Sequence, residues 1–378
     1  MKRTNCLFLL AYFTCWLNLP SLSLGDSWKS NPMFSPKGDK IAFVSNITLN
    51  DKKQKLLYLM DADGNNIKEL SETIGLLDDF FLWSPDGEKI VLIQDENRYN
   101  KSRWKRKDNI YIIDKNGSNF RNLTDNEGSC NQLAWSPDGE KIAFVKANIE
   151  SNQPNEIWLV CLKNGATERL TTGTHPSWSL DSKKIAFFIE KNNGISAIGP
   201  AIGIISIDDD KQYYFTPKEK QAVRLSYQDR ICWSPKGDKV FFTAGRFIFS
   251  INSQNTRNRN LTVYNGVNEF NSDLSISIDG KKLAFKNNFG IGVMDLNRSR
   301  RYESYGLDKS LEHTGAKISF RVIKNISGQK SDNSPSLSSD GKKIIFIRDG
   351  EIWTMSPNGL NQNQLTGRQT TAGKIVRK

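Results

Sequence analysis

His175, Asp273 and Ser334 are the side-chain types of a hydrolytic relay, in which a carboxylate orients an imidazole that takes a hydroxyl proton. Arg230 is the type that grips a carboxylate or phosphate through parallel N–H bonds. Asp61, Asp63, Asn65 and Glu72 fall at positions 1, 3, 5 and 12 of a calcium-type loop, but position 6, which needs glycine, is Asn66. A turn between strands is the better reading there. NRYNKSRWKRK at 97–107 gathers Arg98, Lys101, Arg103, Lys105, Arg106 and Lys107 around Trp104 with no acid, a composition suited to docking on an anionic surface. With only 2 His in 378 residues, a multi-histidine metal site has no donors. No metal and no cofactor are expected. Which of these residues meet depends on the elements that carry them.

Those elements repeat. Seven ten-residue segments align without gaps: FSPKGDKIAF from 34, WSPDGEKIVL from 83, WSPDGEKIAF from 135, WSLDSKKIAF from 178, WSPKGDKVFF from 233, ISIDGKKLAF from 276 and LSSDGKKIIF from 337. Position two is always Ser (Ser35, Ser84, Ser136, Ser179, Ser234, Ser277, Ser338) and position seven is always Lys. Ser-Pro-Asp-Gly is a tight turn: proline presets φ, aspartate bonds nearby backbone, and glycine accepts positive φ. The strand after it, as in KIAFV at 141–145, is apolar on both alternating faces, so both faces are buried. A third strand follows (LYLM at 57, IYII at 110, IWLV at 157, IGII at 202, FIFS at 247, IGVM at 291, IWTM at 352). A second turn then leads to a polar strand that often ends in Leu-Thr. Four strands per unit, buried on both faces in the middle, suit small sheets stacked around an axis. The expectation is an all-β propeller of seven four-stranded blades over 26–366, with six blades as the alternative if one unit is degenerate.

The combination WSPDGxKIAF, IYxMDxDG and Leu-Thr resembles the TolB-type β-propeller repeat, over about residues 31–366. The resemblance implies a propeller that binds partners. TolB-type proteins carry an α/β domain before the propeller, whereas residues 26–30 alone separate the expected cleavage site from the first motif. Prolyl-oligopeptidase-like enzymes join such propellers to a hydrolase domain, and no G-x-S-x-G occurs in this chain.

Propeller ligands bind at the ends of the central channel, lined by the innermost strand of each blade, here the strand entering the Ser-Pro turn. Pro32, Pro176 and Pro335 recur three positions before the motif serine. The residue ahead of that column is expected at the channel mouth: Asn31, Phe80, Gln132, His175, Arg230, Asp273 and Ser334. Six of these seven are polar, and they form the candidate ligand-binding ring, with Arg230 as the anion-binding group. Simple solvation of strand ends is the competing account. The column before the serine (Phe34, Trp83, Trp135, Trp178, Trp233, Ile276, Leu337) is assigned to packing between blades. His175, Asp273 and Ser334 then lie on blades four, six and seven, around a channel and too far apart for proton relay.

Residues 1–25 read as a secretory signal peptide: Lys2 and Arg3, an apolar run from Cys6 to Leu19, then small residues ending at Gly25. The expected location is periplasmic or secreted. Of the formal net charge of +12, Lys2 and Arg3 leave with that segment. The remainder equals the cations of 97–107 plus Arg368, Lys374, Arg377 and Lys378 of the basic tail at 367–378, so the propeller body is neutral. Export and this placement argue against nucleic acid and for an anionic envelope surface met by the 97–107 loop. Cys130, Cys161 and Cys232 are expected as free thiols, because the first two sit on strands separated by a third, about 10 Å apart. His313 falls in the segment 297–333, read as a solvated loop. The expected function is a non-catalytic exported monomer that binds protein or peptide, with polysaccharide as a further partner class; a glycan lyase or hydrolase acting at the channel mouth is the alternative.

Overall fold

A computed structural model describes residues 28–49, 52–70, 76–95, 108–124, 129–147, 153–189, 202–209, 211–215, 230–244, 247–253, 262–265, 272–277, 279–287, 290–296 and 323–367. Blade one is β1 (Lys29–Phe34), β2 (Lys40–Leu49), β3 (Lys52–Asp61) and β4 (Lys68–Glu69); blade two is β5 (Leu76–Trp83), β6 (Lys89–Asp95), β7 (Asp108–Asp114) and β8 (Arg121–Asn122). Blade three is β9 (Ser129–Trp135), β10 (Lys141–Ala147), β11 (Glu156–Cys161) and β12 (Thr167–Thr172); blade four is β13 (Thr174–Trp178), β14 (Lys184–Phe188), β15 (Ile202–Ser206) and β16 (Gln212–Phe215). Blade five is β17 (Ile231–Trp233), β18 (Lys239–Ala244), β19 (Phe247–Asn252) and β20 (Thr262–Asn265); blade six is β21 (Ser272–Ile276), β22 (Lys282–Asn287), β23 (Gly290–Asp295) and β24 (Ile323–Asn325). Blade seven is β25 (Asn333–Leu337), β26 (Ile344–Arg348), β27 (Glu351–Met355) and β28 (Asn363–Gln364). Each blade is an antiparallel sheet whose strands follow chain order. The first strand of every blade touches the first strands of both neighbours, and β1 meets both β5 and β25. Seven first strands therefore encircle one axis, and seven blades, not six, close the ring.

The invariant serine now has a cause. Its hydroxyl accepts the backbone N–H of the motif lysine in every blade, at 2.8–3.1 Å. The same hydroxyl donates to a carboxylate: Ser84 to Asp86, Ser136 to Asp138, Ser179 to Asp181, Ser277 to Asp279 and Ser338 to Asp340. Blades one and five carry lysine where the others carry that aspartate. There the acid stands two residues later, and Ser35 and Ser234 each reach it, Asp39 and Asp238, at 2.7 Å. Blade four lacks the turn glycine. Ser182 takes the left-handed conformation in its place (φ 59°), at a cost of ~1–2 kcal/mol. Its hydroxyl accepts the N–H of Asp138 in blade three at 3.0 Å, which offsets part of that cost.

These turns make the fold acid-sensitive. The serine bond is the largest influence holding Asp39, Asp86, Asp279 and Asp340 below the ordinary value of 3.8. For Asp138 and Asp181 burial is largest and raises the pKa, yet the serine and backbone bonds together outweigh it. A pKa lowered by folding contributes stability that is complete above the unfolded value and lost as pH falls through the folded one. The urea midpoint is therefore expected to hold between about pH 7 and 5 and to fall between about pH 4 and 2. Asp86→Asn should flatten part of that fall; an acid limb unchanged by the substitution would discount the turns.

The core lies between blades. Ile142, Ala143, Phe144 and Val145 are all fully buried, as the two-faced apolar pattern requires. The motif tryptophans stitch neighbours together: Trp83, Trp178 and Trp233 donate Nε1–H to the inner-strand carbonyls of Met33, Ala134 and Ser177 in the preceding blade. Outer turns interlock too. The Leu-Thr ending caps the third strand, with Ile110 N–H on Thr124 Oγ1 at 3.0 Å and Ile352 N–H on Thr366 Oγ1 at 2.9 Å. In blade six Ser327 fills that role toward Ile291. The segment 297–333 is thus not a loop throughout: β24 completes blade six, and Ile326, Ser327 and Asp332 are buried. Residues 297–322, with His313, lie outside the described residues.

The thiols of Cys130, Cys161 and Cys232 are free. Cys130 and Cys161 sit on β9 and β11, with β10 between them. Burial pushes the Cys232 thiol up to about 12, so it is no nucleophile at neutral pH. No helix among the described residues is long and apolar enough to cross a membrane.

Candidate functional site

The column ahead of the proline positions is a structural feature in its own right. The ladder between first and second strands shifts register at Ser30/Met33, Leu76/Phe81, Thr174/Ser177, Ser272/Ser275 and Asn333/Ser336, and in blade three between the partners of Ala143 and Val145. Each shift is a β-bulge, a device that re-aims a side chain at the rim of a closed sheet assembly. Five bulge residues are left-handed without being glycine: Asn31, Gln132, His175, Asp273 and Ser334, with φ between 48° and 55°. Such conformations are rare outside Asn, Asp and His and persist where the surroundings enforce them. All five, and Phe80 and Arg230, are half-buried. These seven residues hold one matching position in, or just before, the first strand of each blade.

The bonds these residues make are specific. The backbone N–H of His175 donates to Gln132 Oε1 at 2.7 Å, which turns the Gln132 amide nitrogen toward His175 Nε2 at 3.2 Å. The imidazole nitrogen is thereby the acceptor, and these bonds join blades three and four. The His175 ring meets Phe188 edge-on, centroids 5.3 Å apart. Arg230 anchors its backbone on Thr243, N–H to Oγ1 at 3.0 Å, and lays its guanidinium carbon 5.9 Å from the centre of the Phe80 ring. Ser334 Oγ donates to Asn333 Oδ1 in its own strand at 3.1 Å. The His175 Nε2 faces the Gln132 amide, and the Ser334 hydroxyl donates to Asn333.

The other sequence candidates separate from this ring. Asp61 accepts from Lys40 and Asn66, and Asp63 accepts the Asn65 N–H at 3.0 Å, the bonds of a strand-to-strand turn. Among the described residues no group of three His, Cys, Asp or Glu side chains could hold a metal ion. Arg98, Lys101, Arg103, Trp104, Lys105, Arg106 and Lys107 lie outside the described residues, as do residues 1–27 and 368–378. Phe80 is the member that polarity-based reasoning passes over. Its signal was its place in the column, where it is the one apolar residue.

The chain is a seven-bladed β-propeller. Residues 35–153 match the family described as the dipeptidyl peptidase IV (DPP IV) N-terminal region. The uncharacterized protein Atu1656 of Agrobacterium fabrum is 28% identical over 130 residues, a match that spans 33% of this chain and 42% of that relative. TolB from Acinetobacter baumannii aligns at 18% identity over 85% of this chain and 78% of its own, with a TM-score of 0.48. A puromycin-hydrolyzing peptidase of Mycobacterium tuberculosis aligns at 13% identity over 91% of this chain and 54% of its own, with a TM-score of 0.62. Oligogalacturonate lyase from Vibrio parahaemolyticus aligns at 13% identity over 85% and 88%, with a TM-score of 0.56. The last two are likenesses of fold.

Proposed function

We propose that this chain is a non-catalytic, exported, TolB-like propeller that binds a protein, peptide or small polar ligand at its channel mouth in the cell envelope. The reading is supported by five first strands that each keep a non-glycine residue left-handed at the same position of the blade. Strain of this kind, about 1–3 kcal/mol per residue, is retained where a defined surface is needed. The leader pattern at 1–25 supports export, and the basic segment 97–107 would hold the protein to an anionic envelope surface in a salt-sensitive way.

Titration calorimetry against a panel of peptides and oligosaccharides tests this. Arg230→Ala and Asp273→Ala are each expected to weaken the ligand found by tenfold or more, and envelope association to fall as salt rises. Unchanged affinity in both variants would overturn the site. Turnover of a peptide or glycan would replace the binding reading by an enzymatic one.

A further inference from the structure

An outer turn joins the third and fourth strands of each blade, and among the described residues three of these turns carry asparagine followed by glycine. They are Asn116 and Gly117 in blade two, Asn164 and Gly165 in blade three, and Asn358 and Gly359 in blade seven. Asn193 and Gly194 lie outside the described residues, as does Gly266 after Asn265. The three pairs start from one local geometry. Each asparagine is exposed, and its Oδ1 accepts the N–H two residues on, from Ser118 at 2.9 Å, Ala166 at 3.0 Å and Leu360 at 3.0 Å. Each glycine donates its own N–H back into the turn at 2.8 Å, to the carbonyls of Asp114, Cys161 and Ser356. What differs is how the turn is seated. A Cβ on Gly117 would stand 2.6 Å from the Leu70 carbonyl oxygen of blade one, and a Cβ on Gly359 would stand 2.6 Å from the Ile326 carbonyl oxygen of blade six. Both glycines are wedged against the preceding blade. A Cβ on Gly165 would meet nothing within 4 Å. A side-chain clasp divides the turns in the same way. Asn119 Nδ2 donates to Asp114 Oδ2 at 2.6 Å and Asn361 Nδ2 to Ser356 Oγ at 3.1 Å, whereas Gly165 is followed by Ala166 and Thr167, neither of which has an amide to donate. The Gly165 N–H reaches back four residues where the other two reach back three, so the blade-three turn is one residue longer.

We infer that Asn164 is a site of self-modification by deamidation. The Gly165 backbone nitrogen, its proton passed to solvent base, attacks Asn164 Cγ; a new C–N bond forms, the bond from Cγ to the side-chain amide nitrogen breaks, and that nitrogen leaves as ammonia with a proton from water. The resulting five-membered succinimide takes up one water at either carbonyl and opens to aspartate or to its β-linked isomer, with no oxidation or reduction. Ring closure requires the glycine nitrogen to release its carbonyl and swing toward the side chain, and the rate follows the population of that locally opened turn. In blades two and seven the swing must push aside the backbone of a neighbouring blade and break the clasp. In blade three it disturbs the turn alone. The product adds one negative charge to an exposed turn whose glycine touches no other blade, so the folded chain retains it.

The test keeps the full chain folded in mildly alkaline buffer, and in parallel unfolded in urea, and measures the asparagine, aspartate and isoaspartate forms of each turn by peptide mapping and mass spectrometry. In the folded chain Asn164 is expected to convert about tenfold faster than Asn116 and Asn358, or more. In urea the three are expected to convert at similar rates, because each is followed by glycine and the blades no longer hold them. Asn164→Asp, which supplies the product directly, is expected to keep the melting temperature of the unaltered chain. Equal conversion of the three in the folded chain, slowest conversion at Asn164, or an order that persists unchanged in urea would overturn the inference. So would a lowered melting temperature in Asn164→Asp, since it would mean that the turn is seated after all.

Discussion

Asp332→Ala is expected to cost about 3–5 kcal/mol of folding stability, the loss typical of a buried ion pair deprived of one partner. Asp332 is fully buried, just before β25, and receives one edge of the Arg348 guanidinium on both oxygens, Nε at 2.7 Å and Nη2 at 2.8 Å. Two further donors are spent as well: Nη2 on the Ser327 carbonyl at 2.9 Å and Nη1 on Gln362 Oε1 at 3.0 Å. Trp353 and Phe346 pack on the cation at 4.9 and 5.1 Å. Removing the carboxylate leaves a charge that cannot reach water, and arginine does not neutralise by losing a proton. The cluster joins the end of blade six to blade seven, so the loss should appear as one cooperative shift of the urea midpoint, followed by tryptophan fluorescence. Asp332→Leu combined with Arg348→Leu should cost less than Asp332→Ala alone, because two apolar residues leave no stranded charge. A single-variant loss under about 1 kcal/mol, or a double variant worse than the sum of its parts, would contradict this account.

The seven blades were legible because their defining bonds are local. Ser35 to Lys40 and Ser35 to Asp39 span five and four residues, so each turn carries its own instructions within one ten-residue segment. The relocated acid of blades one and five could even be read there, as SPKGD in place of SPDG. The column ahead of the prolines was legible as a position but not as a conformation. Asn31, His175 and Asp273 are types that tolerate positive φ, yet Gln132 and Ser334 are less marked, and it is the bulge in each ladder that puts all five there. Contacts across the ring escaped altogether. Gln132 meets His175 over 43 residues, and Phe80 meets Arg230 from three blades away; closure of the ring, not any pattern along the chain, brings them together. Blade six was misread for a related reason. Its fourth strand is three residues long and follows the segment 297–322, and its cap is Ser327 rather than the expected Leu-Thr threonine.

Lys29→Ala is the second substitution expected to cost about 3–5 kcal/mol, and its effect should fall on closure of the ring. Each blade is built from four consecutive strands, so among the described residues no strand of blade one pairs into blade seven to fasten the circle. Side chains and one backbone bond meet that need. The Lys29 side chain is completely buried and pairs with Glu351 Oε1 at 2.8 Å, while its N–H donates to the Gly350 carbonyl at 2.9 Å. Thr366 Oγ1 donates to the second oxygen of Glu351 at 2.5 Å. Trp28 lies so close over Gly350 (φ 76°) that a Cβ there would sit 3.0 Å from the indole. On the outer side Gly64 of blade one fits against Leu365 of blade seven, where a Cβ would stand 2.9 Å from the carbonyl oxygen. Alanine at 29 takes the ammonium partner of Glu351 out of a seam that opens only partly to solvent, so β1 should detach from blade seven before the rest unfolds. Hydrogen exchange should therefore speed up first in β1 and β27, at denaturant concentrations that leave blades three and four protected. Lys29→Met, which keeps the volume, should recover part of the packing but not the charge pairing. Uniform exchange across all blades in the alanine variant would mean that the propeller is held as one unit and that the Lys29 to Glu351 pair is not its closure.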